Sequence, residues 1–245
     1  MTVKYTGGTK ESLVINEIMV ANIDMFIDPS WNYGGWVELY NPTDQSANIG
    51  RFWVSDDPDN LMKAMLPGKI GSVPAHGFFT LWFDHADTQK DVGEKWLNTQ
   101  VNMALNPDGG TIYISDDLGN LLVSQDYPAA IKRASYARKS DGSEEWGWTA
   151  DPTPSATNRT SRFAAELMTA PEVDQPGRLF TNPFEVQVTI PMGATLKYTT
   201  DGTTPAATNG TQSTTGHFTV SETTTFRFRL FKNGYLPSGV VTRSY

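Results

Sequence analysis

The sequence predicts an all-β chain folded as two β-sandwich domains, the larger one first. Three observations carry that expectation. Short runs rich in Val, Ile, Phe, Tyr, Trp and Thr recur between turn residues, each near the ~5–6 residues of an ordinary strand. None of them sustains the apolar period of about 3.6 residues that marks an amphipathic helix. The 245 residues also include 15 prolines and 21 glycines, and both residue types interrupt helix interiors.

The first strands are expected at Leu13–Met19, Trp36–Tyr40, Phe52–Ser55, Phe78–Phe83, Thr111–Ser115 and Leu121–Ser124. Two connections have a mechanism written into them. In Asp116-Asp117-Leu118-Gly119-Asn120, Gly119 supplies the positive φ that a bulged hairpin loop requires, and Asn106-Pro107-Asp108-Gly109-Gly110 is a second turn of strong type. Asp151-Pro152-Thr153-Pro154-Ser155 cannot continue a hydrogen-bonded ladder through its prolines, so it ends the first domain. The division predicted is a first domain over 1–158, a linker over 159–170 and a second domain over 171–245. Strands of the second are expected at Glu185–Ile190, Leu196–Thr200, Thr224–Lys232 and Val240–Tyr245, with Phe226, Phe228 and Leu230 sharing one face of a cleanly alternating run.

Composition removes several functions. A net charge of −8 repels polyanions, and the basic residues are scattered, so nucleic acid is not an expected partner. The absence of cysteine excludes a disulfide framework, a cysteine-ligated zinc site and a thiol nucleophile. No apolar run reaches the roughly 18 residues of a membrane span. Met1-Thr2-Val3-Lys4-Tyr5 does not open a signal peptide, so an exported protein is expected to carry that segment outside this stretch.

The first part resembles the lamin tail domain, an immunoglobulin-like sandwich. The resemblance is carried by Ile15-Asn16-Glu17-Ile18-Met19, Trp36-Val37-Glu38-Leu39-Tyr40-Asn41-Pro42-Thr43, Val54-Ser55-Asp56-Asp57-Pro58-Asp59-Asn60, Ile112-Tyr113-Ile114-Ser115-Asp116, Ser135-Tyr136-Ala137-Arg138 and the closing Asp151–Asn158 stretch, in that order. The second part is similar to the small C-terminal β-module of chitobiases and hexosaminidases, an immunoglobulin- or fibronectin-like sandwich. Leu196-Lys197-Tyr198-Thr199-Thr200-Asp201-Gly202-Thr203-Thr204-Pro205, Thr223–Arg229 and Asn233–Ser238 carry that resemblance, with His217-Phe218 where the family usually has Pro-Ile. What the two resemblances imply is a non-catalytic module pair of a bacterial, exported, multi-domain surface protein, attaching to a surface protein or a glycan.

Several stretches carry residue types of the kind that form sites. Asp56-Asp57-Pro58-Asp59-Asn60 has calcium-type oxygens but fails EF-hand spacing, and the same residues favour turns. Asp84-His85-Ala86-Asp87 contains ligand types with no His-Glu-x-x-His arrangement. Glu17 and Glu38 form a carboxylate pair on neighbouring strands, as glycoside hydrolysis uses. Alternation, however, groups Glu38 with Trp36 and Tyr40 on a face expected to be solvated. No nucleophile-elbow or phosphate-loop motif is present. No catalytic residue, cofactor or metal is therefore expected. The ligand-binding candidates are Phe26, Trp31 and Tyr33, in a connection longer than a hairpin needs. They would bind a surface protein or, alternatively, stack on a carbohydrate.

Overall fold

A computed structural model of the chain describes residues 13–66, 70–84, 99–164 and 166–245. Two compact units divide between Phe163 and Ala164.

The first unit is a sandwich of two main sheets. In chain order its strands are β1 (Val14–Met19), β2 (Gly35–Tyr40), β3 (Ala47–Asn48), β4 (Trp53–Ser55), β5 (Ala64–Met65), β6 (Ser72–Val73) and β7 (Phe78–Phe83). They continue with β8 (Gln100–Val101), β9 (Gly110–Ser115), β10 (Leu121–Tyr127), β11 (Ser135–Arg138), β12 (Trp146–Thr149) and β13 (Phe163–Ala164). The larger sheet has the order β13-β12-β11-β1-β2-β7-β8 and the smaller β10-β9-β4-β5, while β3 and β6 form a separate pair. The core lies between the main sheets. Ile15, Ile18, Val37, Leu39, Leu81 and Phe83 enter it from the larger sheet, and Val54, Ile112 and Ile114 from the smaller.

One irregularity decides what lies on the other face. Ile15 pairs with Leu39 and Ile18 with Val37, so two residues of β1 stand between positions where β2 has only Glu38. This β-bulge turns both Asn16 and Glu17 away from the core, opposite Glu38, where strict alternation would have driven Glu17 inward. Both expected turns form, with Gly119 at φ +81° and Gly109 at φ +96°. Asp116 Oδ1 accepts from the amides of Leu118 and Asn120, which fixes the first of them.

The second unit contains β14 (Glu166–Leu167), β15 (Phe184–Gln187), β16 (Thr195–Thr199), β17 (Thr211–Ser213), β18 (His217–Val220), β19 (Thr225–Phe231), β20 (Tyr235–Leu236) and β21 (Val241–Ser244). Four of them make a sheet in the order β17-β16-β19-β21, and β14 pairs with β20 and β15 with β18. The alternation of β19 places Phe226, Phe228 and Leu230 inside, against Val186, Val188, Leu196, Val220 and Tyr245. Phe218, standing where the resembled family has Ile, packs edge-on to Tyr198 at 4.9 Å, so the departure keeps a core side chain.

The stretch 159–170, expected as a linker, carries structure of its own. Asn158–Thr160 form a 3-10 turn capped by Thr157, Phe163–Ala164 belong to the larger sheet and Glu166–Leu167 pair with β20.

Candidate functional site

The outer face of the larger sheet, turned away from the core, holds the two arrangements that bear on function. The first is a pair of buried carboxylates. Glu17 and Glu38 are directly opposed across β1 and β2, and both are 0% exposed. This overturns the expectation of a solvated glutamate. Alternation did place Glu38 opposite the core, but a second layer covers it. That cover is the Asp151–Asn158 segment. Pro152 and Pro154 have no amide hydrogen, so within 152–155 Thr153 and Ser155 are the residues whose amides donate. Thr153 donates from its backbone N and its hydroxyl to Glu17, at 3.2 and 3.1 Å to Oε2, and the Ser155 amide donates to Glu38 Oε2 at 2.6 Å. Ser155 sits at φ +62°, the bend that brings this amide down.

Other side chains complete the network. Ser135 Oγ donates to Glu17 Oε1. Asn16 Nδ2 donates to Glu38 Oε1 at 3.1 Å and to Asp141 Oδ1 at 3.2 Å. Asn158 donates from its amide to Asp141 and from Nδ2 to the carbonyls of Asn16 and Arg138. Burial raises the Glu17 pKa to about 7, against the opposing effect of the Ser135 and Thr153 hydrogen bonds. Burial, with the charge of Glu17 adding to it, raises Glu38 to about 9. A proton on Glu38 at neutral pH relieves the like-charge repulsion that two buried carboxylates would otherwise suffer. Both oxygens of each glutamate are taken by protein donors, and neither side chain has surface open to a substrate. The pair's chemistry is that of a latch.

The second arrangement is the connection from β1 to β2, and here the three predicted ligand residues part company. Phe26 is half-buried and meets the fully buried Trp36 edge-on at 6.2 Å, so it caps the sheet. Trp31 is 80% and Tyr33 45% exposed, with Ile23 and Ile27 each 51% exposed on the same connection. Trp31 holds φ +68°, a region costly for a large side chain. The loop enforces it from within. Asp28 Oδ1 accepts from the amides of Ser30 and Asn32, both at 2.8 Å, and the Trp31 amide donates to the Asp28 carbonyl at 3.1 Å. Asn22 Nδ2 ties down the carbonyls of Phe26 and Gly34, at 2.6 and 2.9 Å.

The remaining sequence candidates fall out simply. Asp56 pairs with Lys63, and Asp57 Oδ1 accepts from the Asp59 amide at 2.9 Å, an Asx turn. Of Asp84-His85-Ala86-Asp87, residues 85–87 lie outside the described residues, and Asp84 accepts from Ser30 and Gln100. Among the described residues no three His, Cys, Asp or Glu gather as a metal cluster, and no helix is long and apolar enough to cross a membrane. Sequence reasoning missed Asn16, Ser135, Asp141 and the covering role of Thr153 and Ser155. The one available signal was the placement of Thr and Ser directly after each proline of Pro152–Ser155.

Comparison with known proteins bears on the second unit. Residues 175–242 match the family model of the chitobiase/beta-hexosaminidase C-terminal domain. That span runs from just before β15 into β21, and so includes the Phe226–Phe228 core. The chain has no match among curated proteins.

Proposed function

We propose that this chain is a non-catalytic pair of extracellular β-modules from a bacterial surface protein, and that the first module attaches to a surface component through Trp31 and Tyr33. The observation that carries this reading is Trp31 itself. A large aromatic, mostly exposed, is held in a disfavoured backbone conformation by a loop whose hydrogen bonds converge on Asp28. Folding alone gains little from an exposed indole, whereas recognition uses rigid aromatic anchors. The lamin-tail character of the first module belongs to the same proposal and rests on the ordered stretches between Ile15 and Asn158. Absence of catalysis is supported by the sealed state of Glu17 and Glu38 and by the accessory nature of the chitobiase-type module.

A second reading is carbohydrate binding, favoured by the match of residues 175–242 to a module named for glycan-degrading enzymes. Ring stacking of a sugar on Trp31 or Tyr33 would contribute on the order of 1 kcal/mol per ring, enough for weak binding that repeated display strengthens. The test compares Trp31→Ala and Tyr33→Ala with the unaltered chain on a glycan array and on immobilised cell-surface protein, alongside melting curves. Binding lost at unchanged melting temperature supports attachment through the loop, and the array tells glycan from protein. A melting temperature lowered by several degrees would make the rings structural caps and defeat the assignment.

A further inference from the structure

The connection from β1 to β2 concentrates apolar surface. Ile23, Ile27, Trp31 and Tyr33 all stand exposed on it. The Asp28 amide donates to the Asn32 carbonyl at 2.8 Å and closes a turn, so Ile27 and Tyr33 flank the turn on either side and Trp31 stands within it. Single exposed apolar side chains are ordinary on a protein surface, whereas several on one short connection mark a contact site.

The polar groups of the same connection are spent internally. The amides of Phe26, Ser30 and Asn32 donate to the side chains of Asn22 and Asp28, and the Trp31 amide donates to the Asp28 carbonyl. Asn22 Nδ2 serves the carbonyls of Phe26 and Gly34, and Asn32 Nδ2 donates to Ser30 Oγ. Asp24, the exposed charge of residues 20–34, is paired with Arg133, whose Nε lies 2.7 Å from Asp24 Oδ1. The Arg133 amide also donates to the Ala21 carbonyl at 3.1 Å, which anchors that pair to the base of the connection.

This combination selects a kind of partner. A sugar site sets polar groups beside its stacking ring, and a protein interface carries about one hydrogen bond per 100–200 Å². The connection has few donors left for either. A bilayer makes the opposite demand, because backbone polar groups entering it must already be satisfied within the protein. Tryptophan and tyrosine favour the headgroup level, and aliphatic side chains favour the acyl boundary beneath it. Resting on the reading of this loop as the attachment site, we propose that the surface component it enters is a phospholipid bilayer, with Ile23, Ile27, Trp31 and Tyr33 seated between headgroups and acyl chains. The net charge of −8 makes zwitterionic lipid the better host than anionic lipid.

The experiment sediments the full chain with phosphatidylcholine vesicles. Binding is expected with a lipid Kd of about 0.1–1 mM, near that of a single acyl chain or weaker, and little changed between about 50 and 500 mM salt. Trp31→Ala weakens it at least about tenfold. Trp31→Phe stays within about threefold of the parent, because a fluid bilayer has no pocket shaped to an indole. Ile27→Asp, which brings a charge to the acyl boundary, abolishes it. Melting curves confirm that each variant is folded, and if one is not, the others with Tyr33→Ala, expected to lose about threefold, decide. No sedimentation of the parent at about 5 mM lipid overturns the proposal, as does parent-like binding by the folded Trp31→Ala and Ile27→Asp variants. If vesicles fail while Trp31→Ala still loses binding to surface protein or glycan, the bilayer is overturned and attachment through the loop stands. If Trp31→Ala alters binding to none of the three, both fall.

Discussion

Two connecting segments meet the outer face of the larger sheet and use it in opposite ways. The Asp151–Asn158 strap hides charge, sealing Glu17 and Glu38 at 0% exposure. The loop between β1 and β2 displays apolar surface, holding Trp31 at 80% exposure. Both invert the ordinary partition of polar residues outside and apolar residues inside. The difference lies in where the backbone amides point. The strap's amides point down onto the sheet, and the glutamates are the acceptors that receive them. The loop's amides turn inward onto its own Asp28, which leaves the large side chains facing outward. Inverted polarity thus has two meanings in one sheet, closure at the strap and presentation at the loop.

Substitutions sharpen that contrast, and the largest effect belongs to the strap. Glu17→Ala leaves the donors of Ser135 and Thr153 without their acceptor in a buried place. It is expected to cost about 3 kcal/mol in denaturant unfolding. Melting should fall by roughly 6–12 °C, and a fall under about 2 °C would break the latch description.

Titration gives the next effect. Both glutamates bind protons more tightly in the folded than in the unfolded chain, so unfolding releases protons and stability declines as pH rises. The decline runs from the ordinary value of 4.5 up to about 7 for Glu17 and up to about 9 for Glu38. Between these last two values Glu38 acts alone, at about 1 kcal/mol per pH unit. Denaturation midpoints measured across that window should fall, and Glu38→Gln, which mimics the protonated acid, should flatten the slope. A parent chain as stable at pH 9 as at pH 7 would contradict the burial argument.

The loop supplies the smaller effects. Phe26→Ala removes the ring packed on Trp36 and is expected to cost about 2 kcal/mol. Trp31→Ala should stay within about 0.5 kcal/mol, because the indole is exposed. Trp31→Gly should be neutral or stabilising by up to about 1 kcal/mol, since glycine accepts the positive φ. A loss above about 1 kcal/mol for either Trp31 variant would make the loop resemble the strap and erase the comparison.

The parts that were legible in the sequence are those where local pattern determines the outcome. The β19 alternation fixed its inner face as Phe226, Phe228 and Leu230 because a half-buried strand has a period of two. Asp116–Asn120 was readable because glycine and an Asx cap are local chemistry. Glu38 was misread for a physical reason. Alternation tells which residues share a face, and it is silent on what covers that face. The cover here comes from 117 residues further along the chain. The bulge at Asn16 was equally hidden, since an extra residue leaves no compositional mark in Val14–Met19. Phe26, Trp31 and Tyr33 could not be sorted among themselves, because which ring turns inward depends on Asn22 and Asp28 holding the loop.

The strap has a further consequence for how the chain is made. Thr153 bonds to Glu17 across 136 residues and Asn158 to Asn16 across 142. A polypeptide synthesised from its N-terminus therefore exposes β1 and β2 to water long before their outer layer exists. Until Asn158 leaves the ribosome, Glu17 and Glu38 are solvated acids and both carry charge at neutral pH. Arrival of the strap sets the final contacts and takes up a proton. The first module is finished last where it began first, and no fragment that stops short of Thr153 can bury the two acids.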